Sequence, residues 1–408
     1  MANGLREVMA TIAQRGLLQT QEEMLETNKK SNQLKIGIPK EVSFQECRIA
    51  LTPLSVALLV NHGHHVIIES NAGRGANFSD RDYSEQGAQI TYDTKEVWQA
   101  DIIVKIAPPT LAEIALMHKA QTLFSTLQMG DLKEDYLKAL LNKKINAISI
   151  EKLRDEGNIL SVVRAMGEIV GATSIFIAAE YLSSSFDGKG LMLGGFTGVP
   201  PTEIVILGAG TVGEYAARTA LSLGAEVKVF DSSIYKLRRL QNNLGSRVFT
   251  SVMQPIVLSK AITTCDVVIG AIRSDHGRSP CLVMEETVAK MKPQSVIVDV
   301  SIDQGGCFET SSVTNHKEPV FIKHDVIHYC VPNIASRVPR TASYALTNIF
   351  APILVDLGES GGLMNLIWQK QGVRDALYAF QGNLTNADLA KRFNIPFKDL
   401  ELIMAANQ

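Results

Sequence analysis

The stretch EIVILGAGTVGEYAARTALSLGAEVKVFD constrains this chain more than any other. Its first residues read as an apolar strand. Gly208-Ala-Gly210-Thr211-Val212-Gly213 then turns straight into a helix ending at Gly224, and a second strand ends in Asp231. In a strand–turn–helix–strand unit each glycine has a task. Gly208 permits the tight turn, Gly210 lets the backbone approach a diphosphate, and Gly213 lets helix and strand pack closely. The diphosphate of a dinucleotide then sits against the positive end of the helix, where Thr211 and Val212 begin the first turn. Asp231 stands 23 positions after Gly208, close to the spacing of about 20 at which an acid binds the adenosine ribose hydroxyls. A carboxylate there repels a 2′-phosphate, so the reading favours NAD over NADP. Lys236 is a further candidate beside that ribose.

The rest of the chain has the same rhythm. From Leu34, LKIGIP reads as a strand, TPLSVALLVNHG as a helix and HVIIES as a strand; DIIVKIA, QTLFSTLQ and INAISIE continue the series. Such alternation predicts a parallel sheet flanked by helices. A helical pattern runs from about Leu160 to Leu182, and the Gly/Pro/Ser-rich SSSFDGKGLMLGGFTGVPP follows as a loop. EIVILG, EVKVFD, DVVIGAI, SVIVDVS and VIHYCV form a second series, apolar throughout as in strands covered on both faces. After Asn333 the pattern reads as helical to the end. The predicted fold class is α/β, with two Rossmann-like domains built on parallel sheets. The NAD-binding domain, 161–337, is inserted into a discontinuous substrate domain made of 34–160 and 338–408. Residues 1–33 form an extension in which Leu5, Val8, Met9 and Ile12 share one helical face.

Bulk properties remove other classes. The net charge is -2 over 408 residues, with no long basic run. That argues against a nucleic-acid partner or an anionic membrane surface, both of which select for clustered cations. No uninterrupted apolar run approaches the ~18 residues of a membrane span. The N-terminus lacks the apolar core of a secretory signal. Five cysteines (Cys47, Cys265, Cys281, Cys307 and Cys330) form no CxxC pair, so thiols in a reducing cytoplasm are expected. His62, His64 and His65, in NHGHHV, read as a helix-end turn entering a strand, and no metal site is expected.

Ligands of open parallel sheets bind beyond the carboxyl ends of the strands. That rule selects Arg273-Ser-Asp275-His276-Gly-Arg278 after DVVIGAI, Ile302 and Asp303 with Gln304-Gly305-Gly306 after SVIVDVS, and Asn333 after VIHYCV. In the first series Arg48 can clamp a carboxylate through two parallel hydrogen bonds. Lys105, a lone cation ending DIIVKIA, needs a partner if buried.

IGIPKE, CRIALTP, ESNAGRGANFSDRDY, GAGTVG, SVIVDVSIDQGG, HYCVPN and VPRTASYALTN run collinearly between about Leu34 and Phe397. In these segments the chain resembles the alanine dehydrogenases, relatives of the NAD-binding subunit of proton-translocating transhydrogenase. IDQGG, HYCVPN and VPRTASYALTN are closer to the dehydrogenase pattern. The resemblance implies reversible, NAD-dependent oxidative deamination of L-alanine to pyruvate and ammonia by a homo-oligomer. It gives Arg48 the substrate carboxylate, Asp303 the proton traffic, Asn333 a place beside the substrate and Met166 a place in the cofactor cleft. Two positions depart from the family. Where the family has a lysine that contacts the substrate carbonyl, this chain has Ala107, and Lys105 keeps only the preceding lysine of that strand. Where it has a histidine for proton exchange, this chain has Gln128, which has no pKa near neutrality. The segment 273–276 is charged where the family is apolar. These departures leave two alternatives to the alanine reading: a dehydrogenase of another amino or 2-oxo acid, and an NAD-binding protein with little turnover.

Overall fold

The computed structural model describes residues 33–128, 132–274 and 277–406. The helical extension expected over 1–33 lies outside them, Gln33 excepted. Fifteen strands are formed among the described residues: β1 Lys35–Ile38, β2 His65–Glu69, β3 Gln89–Thr91, β4 Ile102–Val104, β5 Thr122–Ser125, β6 Asn146–Ser149, β7 Glu203–Leu207, β8 Glu226–Phe230, β9 Phe249–Ser251, β10 Val267–Gly270, β11 Val296–Asp299, β12 Val320–Lys323, β13 Val326–Tyr329, β14 Leu377–Phe380 and β15 Asn383–Leu384. They make two sheets. The first has the order β15-β14-β6-β5-β4-β1-β2-β3 and the second β12-β13-β11-β10-β7-β8-β9.

Each sheet contains six parallel strands in the doubly wound order 3-2-1-4-5-6, from β1 to β6 in the first and from β7 to β13, without β12, in the second. Val267–Gly270 and Val296–Asp299 are buried throughout, because helices cover both faces. The order reverses beside β1 in one sheet and beside β7 in the other. At those two switch points the segment carrying Arg48 and the glycine turn leave the sheets.

The C-terminal region departs from the helical pattern read in it. β14 pairs antiparallel with β6 and β15 antiparallel with β14, so the chain returns to widen the first sheet. Gln381 (φ 49°) and Gly382 (φ 84°) are both left-handed between the paired Phe380 and Asn383. This is the backbone of a two-residue hairpin turn whose twist matches that of the strands.

Two helices tie the sheets together. Ser161–Leu182 places Val162 in the core of the first sheet and Ile175, Ile177, Ala178 and Leu182 in that of the second. It is long and apolar enough to cross a membrane by length and composition, and 44% of its apolar 18-residue stretch is buried inside the molecule. Pro339–Glu359 packs Leu346, Phe350, Leu354 and Leu357 into the first core. Its N-terminal half is sewn to the segment after β1. Ile49 N donates to Ser343 Oγ at 2.9 Å and Thr52 N to Thr347 Oγ1 at 3.2 Å, from hydroxyls four residues apart on one helical face.

Ser161–Leu182 also lies unusually close to the helix that follows the glycine turn. A Cβ on Gly171 would stand 2.4 Å from the Val212 carbonyl oxygen and 2.9 Å from Tyr215 Cβ. Gly171→Ala is therefore expected to push the two helices apart and to lower unfolding free energy by about 1–3 kcal/mol, as measured by chemical denaturation.

Candidate active site

The glycine turn opens the site. Gly208 has φ +110°, and a Cβ there would be 2.4 Å from the Ala271 carbonyl oxygen; a Cβ on Gly213 would be 1.8 Å from the Gly208 carbonyl oxygen. Only hydrogen fits at either position. Gly210 is different, because a Cβ on it would meet nothing within 4 Å. Its openness leaves the backbone bare towards the cleft. Gly210 begins the Thr211–Ser222 helix without any side-chain cap, so the first amides are available to an anion. A dinucleotide diphosphate fits this cradle. The side chains of Thr211 and Val212 lean instead on Gly167 of the long helix.

Asp231 is buried, and both of its oxygens are engaged: Oδ2 accepts the Ala209 N–H and Oδ1 the Ser233 N–H, each at 2.7 Å. The carboxylate thus fixes the turn and retains acceptor capacity for ribose hydroxyls. Lys236 is exposed in the first turn of the Ile234–Leu244 helix, where its backbone N–H is capped by Ser233 Oγ.

Four residues from the two sheets meet at one point. Arg48 Nε donates to Glu46 Oε1 at 2.8 Å and Nη2 to Glu46 Oε2 at 2.5 Å, the two-pronged geometry of a guanidinium on a carboxylate. Across the junction Asn333 Nδ2 donates to Glu46 Oε2 at 3.0 Å, and its backbone N–H donates to Asp303 Oδ1 at 3.0 Å. Ser336 Oγ adds a hydrogen bond to Glu46 Oε1 at 2.9 Å. Asn333 does this in the left-handed conformation, φ 57°, which asparagine tolerates better than most residues. Arg48 Nη1 points to Met166 Sδ at 3.5 Å.

Burial alone would raise the Glu46 carboxyl, but hydrogen bonds and charge from Arg48, with Ser336, overcome it and hold the group below its ordinary pKa. Asp303 goes the other way. It is open to solvent, yet it stands in a cleft with protein massed around it. That desolvation raises its pKa, against the Asn333 N–H and the charge of Arg48. Ile302 is buried in the same turn, Val300–Gln304.

The segment after β10 is held rather than loose over residues 272–274. Ile272 N donates to Ser301 Oγ at 2.9 Å, while the Gln304 amide accepts from Ser274 N at 2.8 Å and donates to Ser274 O at 3.0 Å. Arg273, between them, is exposed; Asp275 and His276 lie outside the described residues.

Two sequence candidates are not brought to this point. Lys105 does not reach the open cleft. Its side chain is fully buried, with Nζ 3.0 Å from Glu113 Oε1 and 3.6 Å from Glu41 Oε2. An apolar strand end cannot bury an ammonium alone, and these acids are the partners it needed. Gln128 is exposed with φ 47°, and its backbone N–H donates to Glu151 Oε1 at 3.2 Å. Ala107 is buried. Sequence reasoning missed Glu46, Ser336 and Glu41. For Glu46 a signal existed, since it lies two residues from Arg48 in an extended stretch, and such residues share a face.

Two doubly wound sheets, with a dinucleotide turn on one facing an arginine from the other, define a two-domain protein of the NAD-dependent dehydrogenase class. Residues 37–170 match the family description "Alanine dehydrogenase/PNT, N-terminal domain" and residues 174–387 "Alanine dehydrogenase/PNT, C-terminal domain". The chain belongs to the alanine dehydrogenase/PNT family. It is 39% identical to an alanine dehydrogenase of Mycolicibacterium smegmatis over 91% of this chain and 100% of that one. It is 36% identical to alanine dehydrogenase 2 of Staphylococcus aureus over 90% and 99%. A solved L-alanine dehydrogenase superposes with a TM-score of 0.82 at 36% identity, covering 88% of this chain and 99% of that one. A transhydrogenase from Sinorhizobium meliloti shares the fold, with a TM-score of 0.74 at 24% identity over 86% and 99%.

Glu46→Gln removes the negative partner of a nearly buried guanidinium. It should lower unfolding free energy by about 1–3 kcal/mol while leaving dinucleotide binding at the glycine turn intact. Paired denaturation and NADH-fluorescence titrations measure both.

Proposed function

We propose that this chain is an NAD-dependent alanine dehydrogenase. It converts L-alanine, water and NAD into pyruvate, ammonium, NADH and a proton, and it runs in both directions. The observation that carries this reading is the cluster in which Arg48 and Asp303, from different sheets, are joined through Glu46 and Asn333. Gly208, Gly210, Gly213 and Asp231 hold the NAD, which supplies the hydride acceptor.

Arg48, with two prongs on Glu46, keeps its Nη1 edge for the substrate carboxylate. The rotation of the arginine is set before the ligand arrives, which lowers the cost of ordering. Asn333 holds Asp303 beside the bound carbon skeleton. An aspartate of raised pKa accepts a proton from water adding to the oxidised α-carbon and returns one to the departing ammonia. Met166 and Ile302 line the place where the ring of the cofactor meets the substrate. We assign the division 34–160 with 338–408 and 161–337 to substrate and cofactor respectively. The setting is the cytoplasm, and the protein is a homo-oligomer. Phe176, Met192 and Val199, exposed around the long helix, support self-association.

Ala107 and Gln128 favour a second reading, a dehydrogenase of another amino or 2-oxo acid. They leave the cleft without an ammonium or an imidazole at those positions, and Arg273 offers a cation at the mouth. A screen distinguishes the two. Purified protein with NAD is offered each L-amino acid, and with NADH each small 2-oxo acid plus ammonium. Turnover of L-alanine above the others supports the first reading, and preference for another acid replaces it with the second. NAD binding without any turnover rejects both. Arg48→Ala should raise KM for the carboxylate substrate by about 10- to 150-fold, the worth of a charged hydrogen-bond pair of about 1.5–3 kcal/mol. NAD affinity should be unchanged; if KM also stays put, Arg48 does not hold the substrate.

A further inference from the structure

At the carboxyl edge of the first sheet, one ammonium is shared between two acids. Glu41, in the segment after β1, reaches across to β4. Its Oε1 accepts the Ile106 N–H at 2.5 Å, and its Oε2 the Ala107 N–H at 3.3 Å. Lys105 Nζ is 3.6 Å from Glu41 Oε2 but 3.0 Å from Glu113 Oε1, and all three side chains are at most 9% exposed. Glu113, on the Leu111–Leu116 helix, has the better contact and also accepts the Thr110 N–H at 2.7 Å. Oε2 of Glu41 is left with two long contacts.

The next cation, Arg48, feels the charge of Glu41 but is paired with Glu46. Towards the cleft stand Glu46 and Arg48, which neutralise each other, and beyond them Asp303 faces Arg48 from the second sheet. Among the described residues, the three acids Glu41, Glu46 and Glu113 are set against the two cations Lys105 and Arg48, so the cluster carries one negative charge too many when every group is ionised. Carboxylates that share one cation out of water do not all remain ionised; one takes a proton.

We propose that Glu41 is a proton-holding positioning residue of the cleft, taking up a proton when an anionic 2-oxo acid binds at Arg48 and releasing it when the ligand leaves. The inference rests on the reading that Arg48 receives the substrate carboxylate. Burial pushes Glu41 up to about 7, with Glu46 adding to the rise and Lys105 and the two amides opposing it. The group therefore stands half-protonated near neutrality, where a small change in nearby charge moves the most protons. A zwitterionic amino acid brings no net charge and moves fewer. With its side chain shut behind the Ala107 backbone, Glu41 acts on the ligand through the field it sets at Arg48.

Isothermal titration of the NADH complex with pyruvate, in two buffers of different ionisation heat, reads the proton directly. At about pH 7 the wild type should take up a fraction of a proton, and Glu41→Gln should take up less than half as much. Glu113→Gln leaves Lys105 wholly to Glu41, lowers its proton affinity and should move the uptake maximum about one pH unit lower. Unchanged uptake in Glu41→Gln, or a shift to higher pH in Glu113→Gln, overturns the proposal.

Melting curves supply a readout without ligand. A carboxyl whose folded pKa lies above its unfolded value adds stability that is complete below the unfolded value and lost as pH rises through the folded one. The wild-type Tm should therefore fall relative to Glu41→Gln between about pH 5 and about pH 8. A constant difference refutes the titration. If pyruvate fails to bind, the proposed substrate is wrong, and the melting comparison still decides whether Glu41 titrates. Should Glu41→Gln not fold, the Glu113→Gln arm decides alone.

Discussion

One carboxylate holds the two halves of this site in register. Glu46 takes two prongs of Arg48 on its own side of the cleft, and Asn333 and Ser336 on the other. Five hydrogen bonds, the fifth from the Arg48 backbone N–H at 3.1 Å, satisfy this buried anion about as fully as its geometry allows, which is why burial does not neutralise it. Without that anion the guanidinium would keep only the more distant charges of Asp303 and Glu41, and Asn333 would lose its hydrogen bond across the cleft. The long helix would still join the two sheets, but the arginine and Asn333 would lose the contact that fixes their side chains against each other.

The same economy governs the neighbouring charges. Lys105, Glu41 and Glu113 form a compact buried group, and Asp299 accepts hydrogen bonds from Ser311 Oγ, Cys307 N and Ser301 N. Strand ends in an α/β sheet expose unpaired backbone amides where ligands are meant to bind. In the first sheet Glu41 and Glu151 occupy those amides at β4 and β5, closing part of the edge with the chain's own carboxylates. The second sheet leaves its turn open at Gly210. The asymmetry separates a face that shapes a small substrate from one that receives a long cofactor.

Much of this was legible beforehand. The two parallel sheets with helices on their faces, the glycine turn and the residues at strand ends follow from alternating apolar segments and from the rule that ligands sit beyond carboxyl ends. The hairpin of β14 and β15 was not, because LYAF and NL are too short to show a period and lie among helical text. The partners of Lys105 were not legible for a related reason: alternation tells which face a side chain takes, but not which acids from other loops wait there.

The sequence by itself determined the class of fold, the glycines that only hydrogen can occupy, and the candidate chemistry of Arg48, Asp303 and Asn333. Those are local matters, settled by backbone geometry and by the period of apolar residues. Only the tertiary structure decided the pairings, such as Glu46 with Asn333 across 287 positions of chain, or one lysine between two glutamates. Charge partnership depends on distances in space within a low-dielectric interior, and no spacing along the chain encodes it.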